Sequence, residues 1–132
     1  MANVTASFAL LIILLMTALA MNTTRLRFGT ARSTDPADRE RVRRASRAHG
    51  NTLEHGLPVL LLMFFYEVNG GDISTLCIVG TAFIAIRFIY VYGILTKPGS
   101  QAMQAGAGLT YLLELTLLGM LAWRLMQVTG QG

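Results

Sequence analysis

Apolar residues occur in long runs along this chain, and three of the runs are long enough to cross a bilayer as helices. Residues 3–24 contain no charged side chain, and a helix over them covers about 33 Å, slightly more than the hydrocarbon core of a membrane. Residues 73–96 and 105–126 are similarly apolar. A cleaved signal peptide is the alternative interpretation of residues 3–24, although no Lys or Arg precedes the apolar run.

A fourth apolar run is too short to cross a bilayer on its own. Residues 56–66 cover only about 17 Å as a helix. A helix that spans the membrane must therefore extend back through Glu54, Asn51 and Arg47. We expect these polar side chains to lie inside the membrane or at its inner edge.

Short polar segments with turn-forming residues separate the four runs. Asp35 and Pro36 supply an N-cap and a proline at the first helical position. Residues 67–72 and 97–100 contain the glycines and the proline typical of turns. Four helices joined by short loops form an antiparallel bundle. The sequence predicts an all-α integral membrane fold, a single domain over residues 1–132 with helices at 3–24, 37–66, 73–96 and 105–126.

Composition and charge support the membrane assignment and indicate an orientation. Hydrophobic residues make up 53% of the chain and charged residues 14%, which is more apolar surface than a small soluble domain buries. Eight of the eleven Lys and Arg residues lie between positions 25 and 47. By the positive-inside rule we expect this loop and Lys97 to face the cytoplasm and both termini to lie outside. The basic residues are expected to contact anionic lipid, not nucleic acid.

The cysteine and histidine spacing does not suggest a metal site. Cys77 is the single cysteine of the chain, and His49 and His55 are six residues apart instead of the four of a helical zinc site. The polar residues of the second helix are therefore the better candidates for chemistry.

These polar residues form a stripe on the second helix. Arg47, Asn51 and Glu54 are spaced i, i+4 and i+7, which places them on one helical face. A charged side chain in the bilayer is costly unless it is paired or faces a polar cavity. The stripe predicts a site for an anionic, water-soluble ligand, and Arg87 at a comparable depth predicts an ion pair with Glu54. The alternative is that Arg87 and Glu114 only set the helix register.

The motif around this stripe resembles a family signature. The segment Arg47-Ala48-His49-Gly50-Asn51-Thr52-Leu53-Glu54, followed by Pro58, resembles the R-A-H-x-N-x-x-E core of the MAPEG family (membrane-associated proteins in eicosanoid and glutathione metabolism), most closely its bacterial branch. The four helices and the basic first loop are also similar to that family. The resemblance implies a homotrimer of the inner membrane, with glutathione bound as co-substrate between subunits near the cytoplasmic face.

The resemblance also implies roles for individual residues. It implies glutathione contacts from six of them: Arg47, Asn51, Glu54, Arg87, Tyr90 and Tyr111. The implied chemistry is activation of the glutathione thiol in a transferase or peroxidase. The implied second substrate is a hydrophobic electrophile or lipid peroxide that enters from the bilayer.

Three positions depart from the family pattern. Gly50 follows the motif histidine, where the animal enzymes often carry an arginine, and Ile94 stands where a tyrosine is expected one turn after Tyr90. No arginine matches the one that assists the thiolate. The catalytic group is therefore unassigned, with Tyr90, Lys97 and Ser100 as candidates.

Two other functions stay open at this point. A MAPEG-like chain that has lost catalysis would bind a lipid or another membrane protein in the same groove. A small transporter would use Arg87 and Glu114 as a relay through the membrane.

Overall fold

The computed structural model describes residues 2–130, which form four α-helices joined by short connections. In chain order the helices are α1 (Asn3–Gly29), α2 (Pro36–Val68), α3 (Ile73–Thr96) and α4 (Gln101–Thr129). By length and composition α1, α3 and α4 can each cross a membrane. The protein is an all-α four-helix membrane bundle, as the hydropathy pattern predicts.

The second helix is continuous through the polar stripe. α2 contains 33 residues, with Pro58 inside it, and its length is about 50 Å. Its charged first half sets it apart from α1, α3 and α4, each of which contains a long apolar span. Arg47, Asn51 and Glu54 are therefore helical residues, as predicted, and do not belong to a loop that precedes a short apolar helix.

Side-chain caps fix where three helices begin. Asp35, Asp72 and Ser100 each accept a hydrogen bond from a backbone N–H in the following first turn, at 2.8, 2.7 and 3.2 Å. Each cap satisfies a donor that has no partner within its helix. Because Ser100 is a cap, α4 begins at Gln101, before the predicted residue 105. α1 likewise continues past residue 24 to Gly29.

The start of α1 is capped by a residue of another helix. α2 continues to Val68, so Glu67 belongs to this helix and not to the predicted turn at residues 67–72. The Glu67 carboxylate is buried and accepts hydrogen bonds from the backbone N–H groups of Val4 (3.0 Å) and Thr5 (2.8 Å). This contact ties the start of α1 to the end of α2.

The two central helices of the bundle are α2 and α3. α1 packs against both of them, α4 also packs against both, and within residues 2–130 α1 and α4 do not contact each other. The apolar core between the helices includes Ile12, Val59, Met63, Leu76, Phe83 and Leu117. Many large apolar side chains stay exposed around the outside, as expected for a surface that faces lipid.

α3 and α4 approach each other closely at the basic end, defined as the end of the bundle that carries residues 25–47 and Lys97. A Cβ atom on Gly106 would lie 2.8 Å from Tyr90 Cα, and one on Gly93 would lie 2.9 Å from Met103 Cα. Side chains at these glycines would collide with backbone atoms. The close contact therefore fixes the position of Tyr90 beside α4.

Candidate functional site

A polar groove of about 480 Å³ opens at the basic end of the bundle. Its volume lies within the range of about 300–1,000 Å³ common for small-molecule sites. Most of its wall is one face of α2, and α3 and α4 complete it: Arg43, Ser46, Arg47, Gly50, Asn51, Glu54, Tyr90, Ile94 and Met103. The structure thus brings the whole predicted stripe together with Tyr90.

Arg87 lies behind this groove and links three helices. Its side chain is fully buried, and Nη1 donates a hydrogen bond to Asn51 Oδ1 at 2.8 Å. Nη2 donates to the carbonyl of Gly106 at 3.3 Å and to the hydroxyl of Thr110. Cζ lies 4.9 Å from the centroid of the Tyr90 ring, within cation–π distance. Arg87 thus positions Asn51 and Tyr90 at the groove.

The predicted ion pair between Glu54 and Arg87 is wrong. Arg87 binds Asn51 instead. Three residues advance a helix by about 300°, so Glu54 points about 60° to one side of Asn51, where it lines the groove. The Glu54 side chain is exposed and has no ion-pair or hydrogen-bond partner within residues 2–130.

The arginines around the groove differ in whether a nearby carboxylate pairs with them. Arg43 and Arg44 both bind Glu40, at 2.7 and 3.1 Å. The hydrogen bond from Arg44, together with the one from Arg43, holds the pKa of the Glu40 carboxyl below its ordinary value, against a smaller effect of burial. Arg47 is exposed and pairs with no group in the described part of the chain. Arg47 and Glu54 therefore present one free positive and one free negative charge to the groove.

The inner wall of the groove combines one hydroxyl with an apolar surface. Tyr90 is buried, with 7% of its surface exposed. Its hydroxyl makes no hydrogen bond to any residue between 2 and 130. One turn further along α3, Ile94 is also buried and lines the groove. The Tyr90 hydroxyl is thus the polar group that this wall offers to a bound molecule.

The other two candidates for catalysis lie at the turn between α3 and α4. Lys97 is exposed and ends α3. The Ser100 hydroxyl accepts a hydrogen bond from Met103 N as the cap of α4. The lining of the groove includes neither residue. Of the three candidates, the structure brings only Tyr90 into the groove.

Tyr111 lies outside the polar groove, where α2 meets α4. Its ring packs edge-on against His55, with centroids 5.2 Å apart, and His55 Nδ1 lies 2.8 Å from Glu114 Oε1. Tyr111 and Glu114 line a mostly apolar cavity of about 460 Å³ together with Pro58 and Leu62. The structure therefore places Tyr111 with Glu114 and not among the groove residues.

Sequence reasoning missed Gly106 and Thr110, which hold the Arg87 guanidinium from α4. A signal for them was present, because Ala102, Gly106 and Thr110 are small residues spaced four apart, the pattern of close helix contacts in membranes. Sequence reasoning also missed the pair of His55 with Glu114, which lie 59 positions apart. No local pattern relates residues so far separated.

Comparison with known proteins gives matches along most of the chain. The sequence profile of the MAPEG family matches residues 4–124. Microsomal glutathione S-transferase 1 of Sus scrofa is 32% identical over 88 residues, which cover 67% of this chain and 54% of that protein, so the match spans about half the length of the pig protein. Inner membrane protein YecN of Escherichia coli strain K12 is 28% identical over 126 residues, which cover 93% of this chain and 96% of that protein.

Proposed function

This chain belongs to the MAPEG family, and on that premise we propose that it is a membrane-embedded, glutathione-dependent transferase or peroxidase. Its second substrate is a hydrophobic electrophile or lipid peroxide dissolved in the bilayer. The observation that carries the proposal is the groove in which Arg47 and Glu54, neither of them paired within residues 2–130, lie beside Asn51 and Tyr90. A relative whose name specifies glutathione transfer supports it.

The charges of the groove match those of glutathione. The tripeptide carries two carboxylates and one ammonium group at neutral pH. Arg47 is suited to one carboxylate and Glu54 to the ammonium group, and Arg43, which also binds Glu40, lines the groove for the second carboxylate. Because Asn51 Oδ1 already accepts from Arg87, its amide N–H groups remain to donate to the ligand.

The chemical step requires the thiolate form of glutathione. A free thiol has a pKa of about 8.5 and is mostly protonated at neutral pH. The Tyr90 hydroxyl is the donor in the groove that we assign to stabilising the thiolate. In the transferase reaction the sulfur forms a bond to carbon, the leaving group departs with its electron pair, and the thiol proton passes to water. In the peroxidase reaction two glutathione molecules reduce the peroxide to an alcohol and water and become a disulfide.

We also propose how the protein is assembled and placed. The groove is open on one side, and Arg47 and Glu54 are exposed there, which fits completion by a neighbouring subunit of a homotrimer. The distribution of basic residues supports an inner-membrane protein with its basic end in the cytoplasm and its termini outside. Native mass spectrometry of the detergent-solubilised protein tests the trimer, and a purely monomeric spectrum would contradict it.

Calorimetric titration of the purified protein in detergent with glutathione tests the site. We expect saturable binding by the parent protein and about tenfold weaker binding by Glu54→Ala, because the ammonium group loses its partner. Leu53→Ala is the matched control, since Leu53 is a neighbouring exposed residue of α2 that does not line the groove. Absence of glutathione binding by the parent protein would end the proposal.

A second candidate function is a non-catalytic subunit that binds a lipid or a protein in the same groove. It is favoured by the apolar Ile94 in the inner wall and by the use of Ser100 as a helix cap. Conjugation of glutathione to chlorodinitrobenzene separates the two candidates. A rate above the uncatalysed reaction that falls in Tyr90→Phe supports the enzyme, whereas binding without turnover supports the second candidate.

A further inference from the structure

A separate apolar cleft of about 290 Å³ lies between α1 and α3, further from the basic end of the bundle than the polar groove. Its wall is almost entirely hydrocarbon: Leu11, Ile12, Leu14, Leu15 and Ala18 from α1, and Ile84 and Phe88 from α3. Leu11, Leu14, Ala18 and Phe88 are also exposed on the outer surface of the bundle. A molecule dissolved in the bilayer can therefore reach the cleft from the side.

Two polar residues interrupt this apolar wall, and one of them is charged. Thr52 of α2 lines the cleft, but its hydroxyl donates to the carbonyl of Ala48. Arg87 also lines the cleft, has no exposed surface, and has no hydrogen-bond partner for Nε within residues 2–130. The cleft thus combines a hydrocarbon wall with a buried guanidinium that has an unused donor.

Arg87 forms no ion pair with any of the described residues. Its hydrogen-bond partners are the amide of Asn51, the carbonyl of Gly106 and the hydroxyl of Thr110, all of them neutral. Between residues 2 and 130 no carboxylate lies within ion-pair distance of it, because Glu114 pairs with His55 and Glu54 faces the groove. A buried guanidinium without an anion favours a ligand that brings one.

From these observations we propose that the cleft between α1 and α3 binds a single-chain lipid carboxylate, such as a free fatty acid. The chain lies against α1 and α3, and the carboxylate accepts a hydrogen bond from Arg87. The cleft volume is at the lower end of small-molecule sites, which suits one acyl chain better than a two-chain phospholipid. This site is distinct from the polar groove and does not depend on the proposed glutathione chemistry.

Photolabelling of the full-length protein in nanodiscs tests this proposal. The probe is a fatty acid with a diazirine near the end of its chain, and labelled residues are identified by peptide mass spectrometry. We expect saturable labelling of cleft residues on α1 and α3, displaced by excess unlabelled fatty acid. The methyl ester of the same acid, which lacks the negative charge, should not displace the probe. This competition uses the parent protein and so does not depend on the folding of any variant.

Two tryptophan variants of α1 localise the probe. Ala18→Trp places a large ring in the cleft and should lower the labelling about tenfold. Leu10→Trp is the matched control, since Leu10 is 74% exposed and does not line the cleft, and it should label like the parent protein. Glutathione titrations of Ala18→Trp should match the parent, because Ala18 is not part of the groove.

Several outcomes would overturn the proposal. Labelling that does not saturate, or that is equal in Ala18→Trp, would mean contact with bulk lipid only. Displacement by the methyl ester or by an anionic phospholipid would show that a free carboxylate on a single chain is not what the cleft recognises. Displacement by glutathione would place the probe in the polar groove. Failure of glutathione to bind the parent protein would count against the proposed function and leave the fatty-acid result unaffected.

Discussion

Glu54 and Glu67 are both carboxylates of α2, but their surroundings differ completely. Glu67, near the end of the helix, is buried and accepts hydrogen bonds from the backbone N–H groups of Val4 and Thr5. α1 has no side-chain cap of its own at Ala2, so the carboxylate of α2 serves as one. Glu54, near the basic end, is exposed and has no partner among residues 2–130.

This difference indicates that the charge of Glu67 has a structural role and that the charge of Glu54 is available for binding a ligand. The Glu67 carboxylate has its hydrogen bonds supplied by the protein, so it links two helices and has little capacity left for a ligand. Glu54 contributes little to holding the bundle together, and its charge is available to a molecule that enters the groove beside Arg47. We therefore expect mutations of Glu67 to lower the stability of the fold and mutations of Glu54 to weaken ligand binding.

The largest effect should come from Glu67→Ala. The substitution leaves two backbone N–H groups at the start of α1 without acceptors, and we expect the free energy of unfolding to fall by about 3 kcal/mol. Unfolding in detergent, followed by circular dichroism, measures it. Glu67→Gln keeps an acceptor oxygen, so its free energy of unfolding should fall by less than that of Glu67→Ala. Equal losses in the two variants would contradict the capping role, and glutathione affinity should be unchanged in both.

A smaller loss of stability should follow from Gly106→Ala. The added methyl group would meet Tyr90 backbone atoms at 2.8 Å, and forcing α3 and α4 apart should cost about 2 kcal/mol. The same unfolding experiment applies. Gly108→Ala is the matched control, because no atom lies within 4 Å of a Cβ at that glycine of the same helix. A stable Gly106→Ala variant with unchanged glutathione binding would argue against the close contact as a positioning device.

Glu54→Gln should show the reverse of the Glu67 variants. We expect the free energy of unfolding to change by less than about 0.5 kcal/mol, because the parent carboxylate has no partner among the described residues. Glutathione affinity should fall by about tenfold, which corresponds to 1.4 kcal/mol of binding free energy. Unfolding and calorimetry on one preparation give both values. A large loss of stability would mean that Glu54 is a structural charge like Glu67.

The smallest effect should be a pH dependence of stability that comes from Asp72, the cap at the start of α3. Hydrogen bonds from the side chain and backbone of Thr75 hold the pKa of the Asp72 carboxyl below its ordinary value. Since the folded pKa is lower than the unfolded one, the ionised cap stabilises the fold above the unfolded pKa. That stabilisation is lost as the pH falls through the lowered value. Asp72→Asn should remove this part of the acid dependence of thermal unfolding. If the unfolding temperature of the variant depends on pH as in the parent protein, other carboxylates cause the acid dependence.

Several features of the fold and the site were predictable because they depend on residues close in sequence. α3 has the predicted bounds of residues 73–96, since an apolar run between Asp72 and Pro98 is recognisable locally. The extension of α2 through the stripe was predictable from the short length of its apolar run. The common face of Arg47, Asn51 and Glu54 follows from helical spacing alone.

Contacts between helices were predicted less well. The expected pair of Glu54 with Arg87 is replaced by Asn51 with Arg87 and by His55 with Glu114. Similar depth in the membrane makes a pair plausible, but the rotation of each helix about its axis decides which side chains meet. That rotation is set by packing, here in part by Gly106 against Tyr90.

Hydropathy and helical periodicity act over neighbouring residues, so they were sufficient to predict a bundle of four membrane helices and a polar face on α2. The burial of Arg87 among neutral partners, the capping of α1 by Glu67 and the hydrocarbon cleft beside Arg87 became visible only once the helices were packed together. These features depend on the distance and rotation between helices, which result from the packing of residues far apart in the chain.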